Sequence, residues 1–307
     1  MSEDEYDLVI IGGGPAGFTA GIYAGRAGLK AVILEKQMAG GQVIISPIIE
    51  NWPGDKEISG QDLAMRMREH AENYAPIKEY SEVTSISKDG MFHLETPEGN
   101  YNGKSVLLAT GAEHKHLGVP GEEEMGGKGV SYCATCDGFF FKGKDVIVVG
   151  GGSTALLYAI YLHNIECNVR IIHRRDEFRG EKALQDQVKE LGIELILDTV
   201  VEEFKGTDML ESVIIKNVKT GDKKELKTAG AFIAIGEVPQ VQLGMALGAQ
   251  LNEEGFLKVD RNMRTNVPGF YSAGDITGGL KQIVTAAGEG AIAATSAFED
   301  LMEPYWL

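Results

Sequence analysis

The sequence predicts an α/β protein built from two parallel-sheet units, and three observations lead to this prediction. Two segments repeat one plan, in which a β-branched strand, a glycine turn, a helix and a second strand follow one another. The 40 glycines stand mostly in short clusters at the ends of apolar runs, where tight strand-to-helix turns need them. A length of 307 residues is enough for two domains of ordinary size.

Composition and charge narrow the class of protein. Apolar residues make up 43% and charged residues 24%, which is typical of a globular chain and excludes disorder and collagen. No run approaches the roughly 18 consecutive apolar residues of a transmembrane helix, and the acidic start Met1–Glu5 is unlike a signal peptide. We therefore expect a cytoplasmic protein. A net charge of −16 repels phosphate backbones and anionic lipids, which argues against nucleic acid and membranes as partners.

The first unit begins with an apolar strand at 6–11, which leads into Gly12-Gly13-Gly14-Pro15-Ala16-Gly17. A helix follows to about residue 28, and a second strand at 31–34 ends at Glu35. In this G-x-G-x-x-G spacing Gly12 permits the tight turn, Gly14 lets the backbone approach a pyrophosphate and Gly17 allows close helix–strand packing. The helix then starts at Pro15, which has no N–H of its own, and the N–H groups from Ala16 onward are free for phosphates.

The second unit repeats this plan. A strand at 145–149 leads into Gly150-Gly151-Gly152-Ser153-Thr154-Ala155, a G-x-G-x-x-A spacing with a small residue at the third position. Its helix runs to about Asn164, and a strand at 168–172 ends at His173. Because each glycine motif follows a β-branched strand and opens a helix, both predict a dinucleotide site.

The ends of the two second strands differ, and this difference predicts two different dinucleotides. Glu35 lies 18 residues beyond Gly17, where a carboxylate accepts hydrogen bonds from the hydroxyls of an unphosphorylated ribose, as in FAD or NAD. His173 lies 18 residues beyond Ala155 and is followed by arginines that suit a 2′-phosphate, as in NADP: Arg174, Arg175 and Arg179. Two dinucleotides in one chain imply electron transfer between them.

The order of the segments predicts that one unit is inserted into the other. Strands at 106–111 and 231–236 each close a unit on a glycine, and a third such segment at 268–275 precedes a small-residue helix at 286–297. Turn-rich stretches flank the second unit on both sides. We expect residues 1–113 and 245–307 to form one domain and 114–244 the other.

Cysteine usage points to redox chemistry. The chain has three cysteines, and Cys133 and Cys136 form a lone C-x-x-C, which in a cytosolic protein is typical of thiol–disulfide exchange. Three cysteines and six scattered histidines give no metal-ligand spacing, so we expect no metal site. Asp137 is adjacent and can serve as an acid if burial raises its pKa, whereas Cys167 is most simply a small buried hydrophobe.

Taken together, the motifs of the chain resemble those of the low-molecular-weight, prokaryotic-type thioredoxin reductases. The resemblance covers nearly the whole chain, and its marks are Gly12–Gly17, Gly40-Gly41-Gln42, Glu50-Asn51-Trp52-Pro53-Gly54, Cys133–Gly138, His173–Arg179 and Ala273-Gly274-Asp275. It implies two Rossmann-like domains, with an NADPH domain inserted into an FAD domain. It also implies FAD and NADPH as cofactors, thioredoxin as protein partner and a homodimer.

The resemblance also assigns roles to matching positions. It implies that Cys136 faces the flavin, that Cys133 attacks the thioredoxin disulfide and that Asp137 is the acid–base. It places along FAD the residues Gly41, Gln42, Asn51, Val83, Asp275, Gln282 and Ile283, with Val83 near the adenine. It places along NADPH the residues Gly152, Ser153, His173, Arg174, Arg175 and Arg179.

Two departures from the family pattern keep alternatives open. Leu156-Leu157-Tyr158 stands where the family usually carries a pair of glutamates, and Lys281 stands where an arginine usually precedes Gln282. A flavin-dependent disulfide reductase of the same fold that uses reduced ferredoxin, a deazaflavin or another donor is one alternative, and an oxidase that reduces oxygen is another. A dinucleotide-sensing binding protein with an inert C-x-x-C is a third.

Overall fold

The structure, a computed structural model, describes residues 4–46 and 48–303, so Met1, Ser2 and Glu3 of the acidic start lie outside the described residues. The described chain divides into two compact units. The first unit runs up to Glu113 and resumes at Pro239, and the second unit is His114–Val238. The sequence prediction places the return at residue 245, whereas the structure has it at Pro239, where a short strand ends.

The bounds of the strands are as follows. They are β1 Asp4–Ile11, β2 Ala31–Leu34, β3 Ile77–Lys78, β4 Ser85–Lys88, β5 Phe92–Thr96, β6 Gly99–Leu108, β7 Ala112–His114, β8 Val130–Ser131, β9 Asp145–Gly150, β10 Asn168–Ile172, β11 Glu194–Ile196, β12 Thr199–Gly206, β13 Leu210–Asn217, β14 Lys223–Lys227, β15 Gly230–Ala234, β16 Glu237–Pro239 and β17 Phe270–Ser272. The strands β7 and β16 pair with each other as a two-stranded sheet.

The bounds of the helices are as follows. They are α1 Pro15–Arg26, α2 Gly60–Glu72, α3 Ala134–Asp137, α4 Ser153–Asn164, α5 Lys182–Glu190, α6 Gln242–Ala246 and α7 Ile283–Met302. Three short 3-10 segments add Gly41–Ile45, Gly138–Phe141 and Asp275–Thr277. Within the described ranges, no helix is both long enough and apolar enough to cross a membrane.

The first unit is built on a seven-stranded sheet. Its order is β3-β2-β1-β6-β5-β4, and β17 pairs with the second half of β6. The pairs of β1 with β2 and with β6 are parallel, while β4, β5 and the first half of β6 pair antiparallel. The predicted β-α-β unit is therefore present, because β1 and β2 are parallel neighbours joined by α1.

The second unit repeats this layout with a parallel five-stranded sheet of order β11-β10-β9-β15-β8. The strands β9 and β10 are parallel neighbours joined by α4, which matches the second predicted unit. An antiparallel sheet of β12, β13 and β14 is attached. In β9 the run Val146–Val149 is buried on both faces of the sheet, which explains why it reads as continuously apolar.

The long helix α7 packs directly on α1 in the first unit. Small residues make this close approach possible: a Cβ on Gly290 would lie 2.1 Å from the carbonyl oxygen of Ala16. Both helices contribute buried alanines to one core cluster with Leu8, Ile10 and Tyr271. The start of α1 is therefore held between the sheet and α7.

A buried ionic cluster fastens the end of α7 to the sheet. Asp300 is only 2% exposed and accepts two hydrogen bonds from the Arg264 guanidinium, from Nε at 2.8 Å and from Nη2 at 2.7 Å. The hydroxyl of buried Tyr271 on β17 donates to the same carboxylate at 2.7 Å. The carboxylate of Glu299, which is exposed, lies 3.8 Å from the same guanidinium.

We predict that Asp300→Ala lowers the free energy of unfolding by about 3–5 kcal/mol, because it leaves a largely buried guanidinium without its bidentate partner. The matched control Glu299→Ala removes an exposed carboxylate and should cost less than about 1 kcal/mol. Urea unfolding followed by circular dichroism measures both. Equal small losses in the two variants would contradict a stabilising role for the buried cluster.

Candidate dinucleotide and redox sites

The first glycine turn links β1 to α1 and leaves the start of the helix open. A Cβ on Gly17 would lie 1.9 Å from the carbonyl oxygen of Gly12, so the third position of the motif admits only glycine here. The helix begins at Pro15 with Gly14 as its N-cap, and no side chain caps it. The N–H groups of its first turn, which includes Ala16, therefore suit a phosphate.

Glu35 lies beside this turn, as the spacing predicts. Its carboxylate accepts hydrogen bonds from the N–H of Gly13 at 2.7 Å and from the N–H of Gln37 at 3.0 Å. The side chain thus joins the end of β2 to the glycine turn. Its predicted contact with a ribose stays a prediction.

The segment after β2 covers the same turn. The N–H of Gly40 donates to the carbonyl of Gly13 at 2.7 Å, and a Cβ on Gly41 would lie 3.2 Å from the Cα of Gly14. The side-chain amide of Gln42 donates to the carbonyl of Ala112 at 3.3 Å. The structure therefore brings Gly41 and Gln42 next to the open helix start.

The predicted residues from the end of the chain gather at the start of α7. Gln282 is the N-cap of this helix, and its side-chain oxygen accepts a hydrogen bond from Asn51 at 3.0 Å. Ile283 packs against an apolar cluster that includes Val43. Asp275 begins a 3-10 turn after Gly274, in the same unit. Asn51 and Gln282 are thus brought together although 231 residues separate them.

Val83 differs from these residues because it is part of the hydrophobic core. It is 8% exposed and belongs to a core cluster with Leu34 and Ile86. Nearby, the N–H of Ser81 donates to the carbonyl of Glu35 at 2.8 Å, so the segment runs along the end of β2. The predicted contact of Val83 with an adenine stays a prediction.

Sequence reasoning missed Glu289, which positions the turn that carries Asp275. Its carboxylate accepts from the N–H of Gly274 at 2.7 Å and from the hydroxyl of Thr277 at 3.3 Å. Burial raises the pKa of Glu289 above its usual value, against the opposing effect of these hydrogen bonds. The available signal was a single acid within the small-residue run 286–297.

The second glycine turn is covered by its own arginine segment. The N–H groups of Arg179 and Gly180 donate to the carbonyl of Gly151 at 2.8 and 3.1 Å, and the N–H of Glu181 donates to the hydroxyl of Ser153 at 3.1 Å. The helix α4 begins at Ser153 with Gly152 as N-cap and without a side-chain cap. Arg179 therefore lies beside an open helix start.

The imidazole ring of His173 packs against the second glycine turn. A Cβ on Gly151 would lie 2.1 Å from the imidazole Cε1, and the ring stacks on Phe178 with centroids 5.3 Å apart. Burial, together with the neighbouring arginines, lowers the pKa of His173. The ring is 8% exposed, so the structure gives it a packing role, and its predicted contact with a nucleotide stays a prediction.

The three arginines keep their charge available. Arg174, Arg175 and Arg179 are exposed, and among the residues that the structure describes none of them pairs with a carboxylate. The acid within their segment, Asp176, pairs instead with Lys219 at 2.8 Å. An exposed group of guanidinium groups beside an open helix start fits a phosphorylated ribose.

The redox loop, residues 131–137, carries the two cysteines as a disulfide. Cys133 is half-buried and Cys136 is exposed, and the N–H of Cys136 donates to the sulfur of Cys133 at 3.2 Å. The hydroxyl of Ser131 donates to Oδ2 of Asp137 at 2.5 Å. The loop thus places a carboxyl group, a hydroxyl and both sulfurs within one short segment.

The carboxyl group of the redox loop has a shifted pKa. Burial raises the pKa of the Asp137 carboxyl, and this effect outweighs the opposing hydrogen bond from Ser131.

The third cysteine, Cys167, is a free buried thiol that donates to the carbonyl of Phe141 at 3.1 Å, and burial raises its pKa. Its burial agrees with the prediction that Cys167 is a small buried hydrophobe. Across residues 4–46 and 48–303 no group of three or more His, Cys, Asp or Glu side chains could hold a metal ion.

Comparison with known proteins agrees with this arrangement. Residues 6–290 match the family profile described as pyridine nucleotide-disulphide oxidoreductase. The chain is 41% identical over 305 residues to a thioredoxin reductase of Peptoclostridium acidaminophilum, with 96% of each chain covered. It is 42% identical over 302 residues to one of Bacillus subtilis (strain 168), covering 96% of this chain and 95% of that relative.

A solved structure shows the same likeness in three dimensions. The crystal structure of thioredoxin reductase from Streptococcus pyogenes MGAS5005 matches with a TM-score of 0.92 at 41% identity. The match covers 98% of this chain and 99% of that one. The predicted α/β fold class is thereby confirmed.

The raised pKa of Asp137 leads to a prediction about stability. Below the unfolded-state value of 3.8 both states are protonated, and as the pH rises through the raised folded-state pKa the folded state loses stability. Asp137→Asn, which keeps an acceptor for Ser131, should therefore have a higher free energy of unfolding than the unchanged protein near neutral pH.

Urea unfolding across pH measures this difference, which should vanish below pH 3.8. The control Asp208→Asn changes an exposed carboxylate and should leave the stability unchanged at every pH. A difference between Asp137→Asn and the unchanged protein that is constant across pH would speak against the ionisation of a buried carboxyl as its cause.

Proposed function

Because this chain belongs to the pyridine nucleotide-disulphide oxidoreductases, and within them to the low-molecular-weight thioredoxin reductases, we propose that it transfers electrons from NADPH through FAD and the Cys133–Cys136 disulfide to oxidised thioredoxin. The observation that carries this proposal is the disulfide with an adjacent buried acid in a chain that has two open glycine turns. FAD, when bound, supplies the two-electron link between NADPH and the disulfide.

The first unit fits FAD. The uncapped start of α1 suits the pyrophosphate, and Glu35 is held at the turn by backbone N–H groups where a ribose would be expected. Gly41 leaves the approach to Gly14 without a side chain. We propose that the remaining predicted residues extend the site: Gln42, Asn51, Val83, Asp275, Gln282 and Ile283.

The second unit fits NADPH. The uncapped start of α4 at Ser153 suits the pyrophosphate, and a Cβ built on Gly152 would meet no atom within 4 Å. The exposed arginines suit the 2′-phosphate. This arginine set supports NADPH as the donor over reduced ferredoxin or a deazaflavin, because neither of these carries a 2′-phosphate.

The exchange step follows from the chemistry of the redox loop. In the reduced loop the Cys133 thiolate attacks one sulfur of the thioredoxin disulfide, a mixed disulfide forms, and the second thioredoxin sulfur leaves and takes up a proton. Cys136 then attacks Cys133, which re-forms the pair and releases reduced thioredoxin. The N–H of Cys136 stabilises negative charge on Cys133, and burial, which raises the pKa of Asp137, favours the protonated form that we propose as the donor to the leaving sulfur.

The proposal also covers the cellular location and the oligomeric state of the protein. We propose that it acts in the cytoplasm as a homodimer. A cytoplasm in which thiols are kept reduced suits a reductase with one exchangeable disulfide and one buried free cysteine.

Three measurements on the purified holoprotein test the function. We expect a yellow protein that releases FAD on denaturation, bleaching of its flavin by NADPH, and NADPH-dependent reduction of thioredoxin. Cys133→Ser and Cys136→Ser should abolish thioredoxin reduction. A colourless protein that takes up no added FAD, or a flavoprotein that leaves thioredoxin oxidised, would refute the proposal.

A second prediction concerns the choice of donor. Changing both Arg174 and Arg175 to Ala should weaken NADPH use about tenfold or more, because charge-assisted hydrogen bonds contribute roughly 1.5–3 kcal/mol each. NADH use should change little. The control Lys189→Ala removes an exposed charge elsewhere in the same unit and should leave the NADPH-to-NADH ratio of kcat/KM unchanged. Equal losses with both donors would contradict a 2′-phosphate site.

A third prediction assigns the two sulfurs. With a thioredoxin whose attacked cysteine carries an aromatic disulfide, the Cys136→Ser protein should form a stable covalent adduct through Cys133, because no second thiol resolves it. Cys133→Ser should form little adduct. Non-reducing electrophoresis separates the outcomes, and an adduct formed only by Cys133→Ser would exchange the two roles.

A further inference from the structure

Tyr158 reaches from α4 to the redox loop. Its hydroxyl donates to the backbone carbonyl of Tyr132 at 3.1 Å. The ring is half-buried, and burial together with the negative charges of Glu237 and Asp137 raises the pKa of Tyr158 to about 12. The phenol therefore stays a hydrogen-bond donor throughout the pH range in which thiols exchange.

The accepted hydrogen bond belongs to the peptide group that leads into Cys133. The carbonyl of this group accepts from Tyr158, and its N–H, which is that of Cys133, donates to the hydroxyl of Ser131 at 3.1 Å. The Ser131 hydroxyl donates in turn to Asp137 at 2.5 Å. Four groups thus form a chain of hydrogen bonds with a single direction, from the phenol through one peptide bond to the carboxyl group.

We propose that Tyr158 is a positioning residue for the exchange step: it fixes the peptide plane that carries Cys133 and, through Ser131, the carboxyl group of Asp137. This proposal rests on the proposed function, in which Cys133 attacks and Asp137 holds the proton. A peptide group bonded at both its carbonyl and its N–H cannot rotate freely. Each bond in such a chain also polarises the next, so loss of the first weakens the last.

The chemistry of the side chain explains why a tyrosine serves here. A carboxylate, which the family resemblance leads one to expect near this position, only accepts hydrogen bonds and cannot hold a carbonyl. It would also add negative charge beside Asp137 and Glu237, which both act electrostatically on Tyr158. A neutral donor avoids both problems, so the departure in sequence is explained by the redox loop itself.

Other groups hold the same segment without joining the chain. The side-chain hydroxyl of Tyr132 donates to Glu122 at 2.8 Å and lies 2.8 Å from Nδ1 of His116. Its ring stacks on the imidazole of His114, with centroids 5.2 Å apart. The titratable groups that face the two tyrosines are therefore Asp137, Glu237, Glu122, Glu123, His114 and His116. None of these is changed in the variants below.

The first test replaces the hydroxyl and keeps the ring. In Tyr158→Phe the rate of thioredoxin reduction by the reduced protein should fall about two- to tenfold, which is the effect of one ordinary hydrogen bond on a rate. Bleaching of the flavin by NADPH should be unchanged in stopped-flow measurements. The control is Tyr161→Phe on the same helix, whose hydroxyl has no hydrogen-bond partner among the described residues, and both rates should stay the same.

The second test needs neither NADPH nor thioredoxin, so it separates failure of this inference from failure of the proposed function. The protein is reduced with dithiothreitol, and alkylation of Cys133 by iodoacetamide is followed across pH by mass spectrometry. In Tyr158→Phe the midpoint should rise by a few tenths of a pH unit, because a less fixed peptide group places the Cys133 sulfur less well to accept from the N–H of Cys136. This is a fraction of the roughly one unit that a complete hydrogen bond gives. An unchanged midpoint would overturn the proposal.

A double-mutant cycle with Ser131→Ala tests whether the groups act as one chain. If they do, the double variant should lose less exchange rate than the product of the two single losses, because either change breaks the same chain. Independent, multiplicative losses would overturn the proposal and leave Tyr158 as a packing residue only. If the midpoint shifts in Tyr158→Phe as expected but the wild-type protein does not reduce thioredoxin, the proposed function is refuted and the inference about the redox loop stands.

Discussion

Close approach between a strand end and a helix start is the constraint on which both dinucleotide sites depend. In the first unit Gly17 lies against the carbonyl of Gly12 with no room for a Cβ, and Gly290 of α7 lies equally close to Ala16. In the second unit the small, fully buried Ala155 occupies the matching position. Because the N-cap residues, Gly14 and Gly152, have no side chain, none caps either helix, and the first-turn N–H groups remain for a ligand.

The exposed arginines of the second unit contrast with the net negative charge of the chain. A chain with a net charge of −16 repels anions over most of its surface, yet we propose that it binds two anionic dinucleotides. In the second unit three exposed arginines without carboxylate partners in the described structure supply the local attraction. Lys219 contributes to this indirectly, because it pairs with Asp176 and so keeps that acid from neutralising the arginines. These positive charges stand at the place where we propose that the 2′-phosphate binds.

The redox loop combines a reactive disulfide with groups that the fold holds in place. Burial raises the pKa of its acid, Asp137, and Ser131 links this carboxyl group to the backbone of Cys133. Helix α4 supports the loop through the hydrogen bond from Tyr158 to the carbonyl of Tyr132. The buried carboxylate of Glu122 supports it by accepting from the Tyr132 hydroxyl, and it also accepts from the N–H groups of Leu117 and Gly118. The redox loop is thus held by hydrogen bonds from several directions.

The sequence by itself determined the features that depend on neighbouring residues. Both β-α-β units, the glycine turns and the C-x-x-C are visible because strand, turn and helix preferences are local, and Glu35 could be placed because its distance from the motif follows from one helix and one strand. Only the tertiary structure decided the roles of Glu289 and Tyr158 and the burial of His173. It also set the point at which the chain re-enters the first unit, at Pro239. These depend on contacts between segments far apart in the chain, where packing and hydrogen bonding, and no local pattern, select the partner.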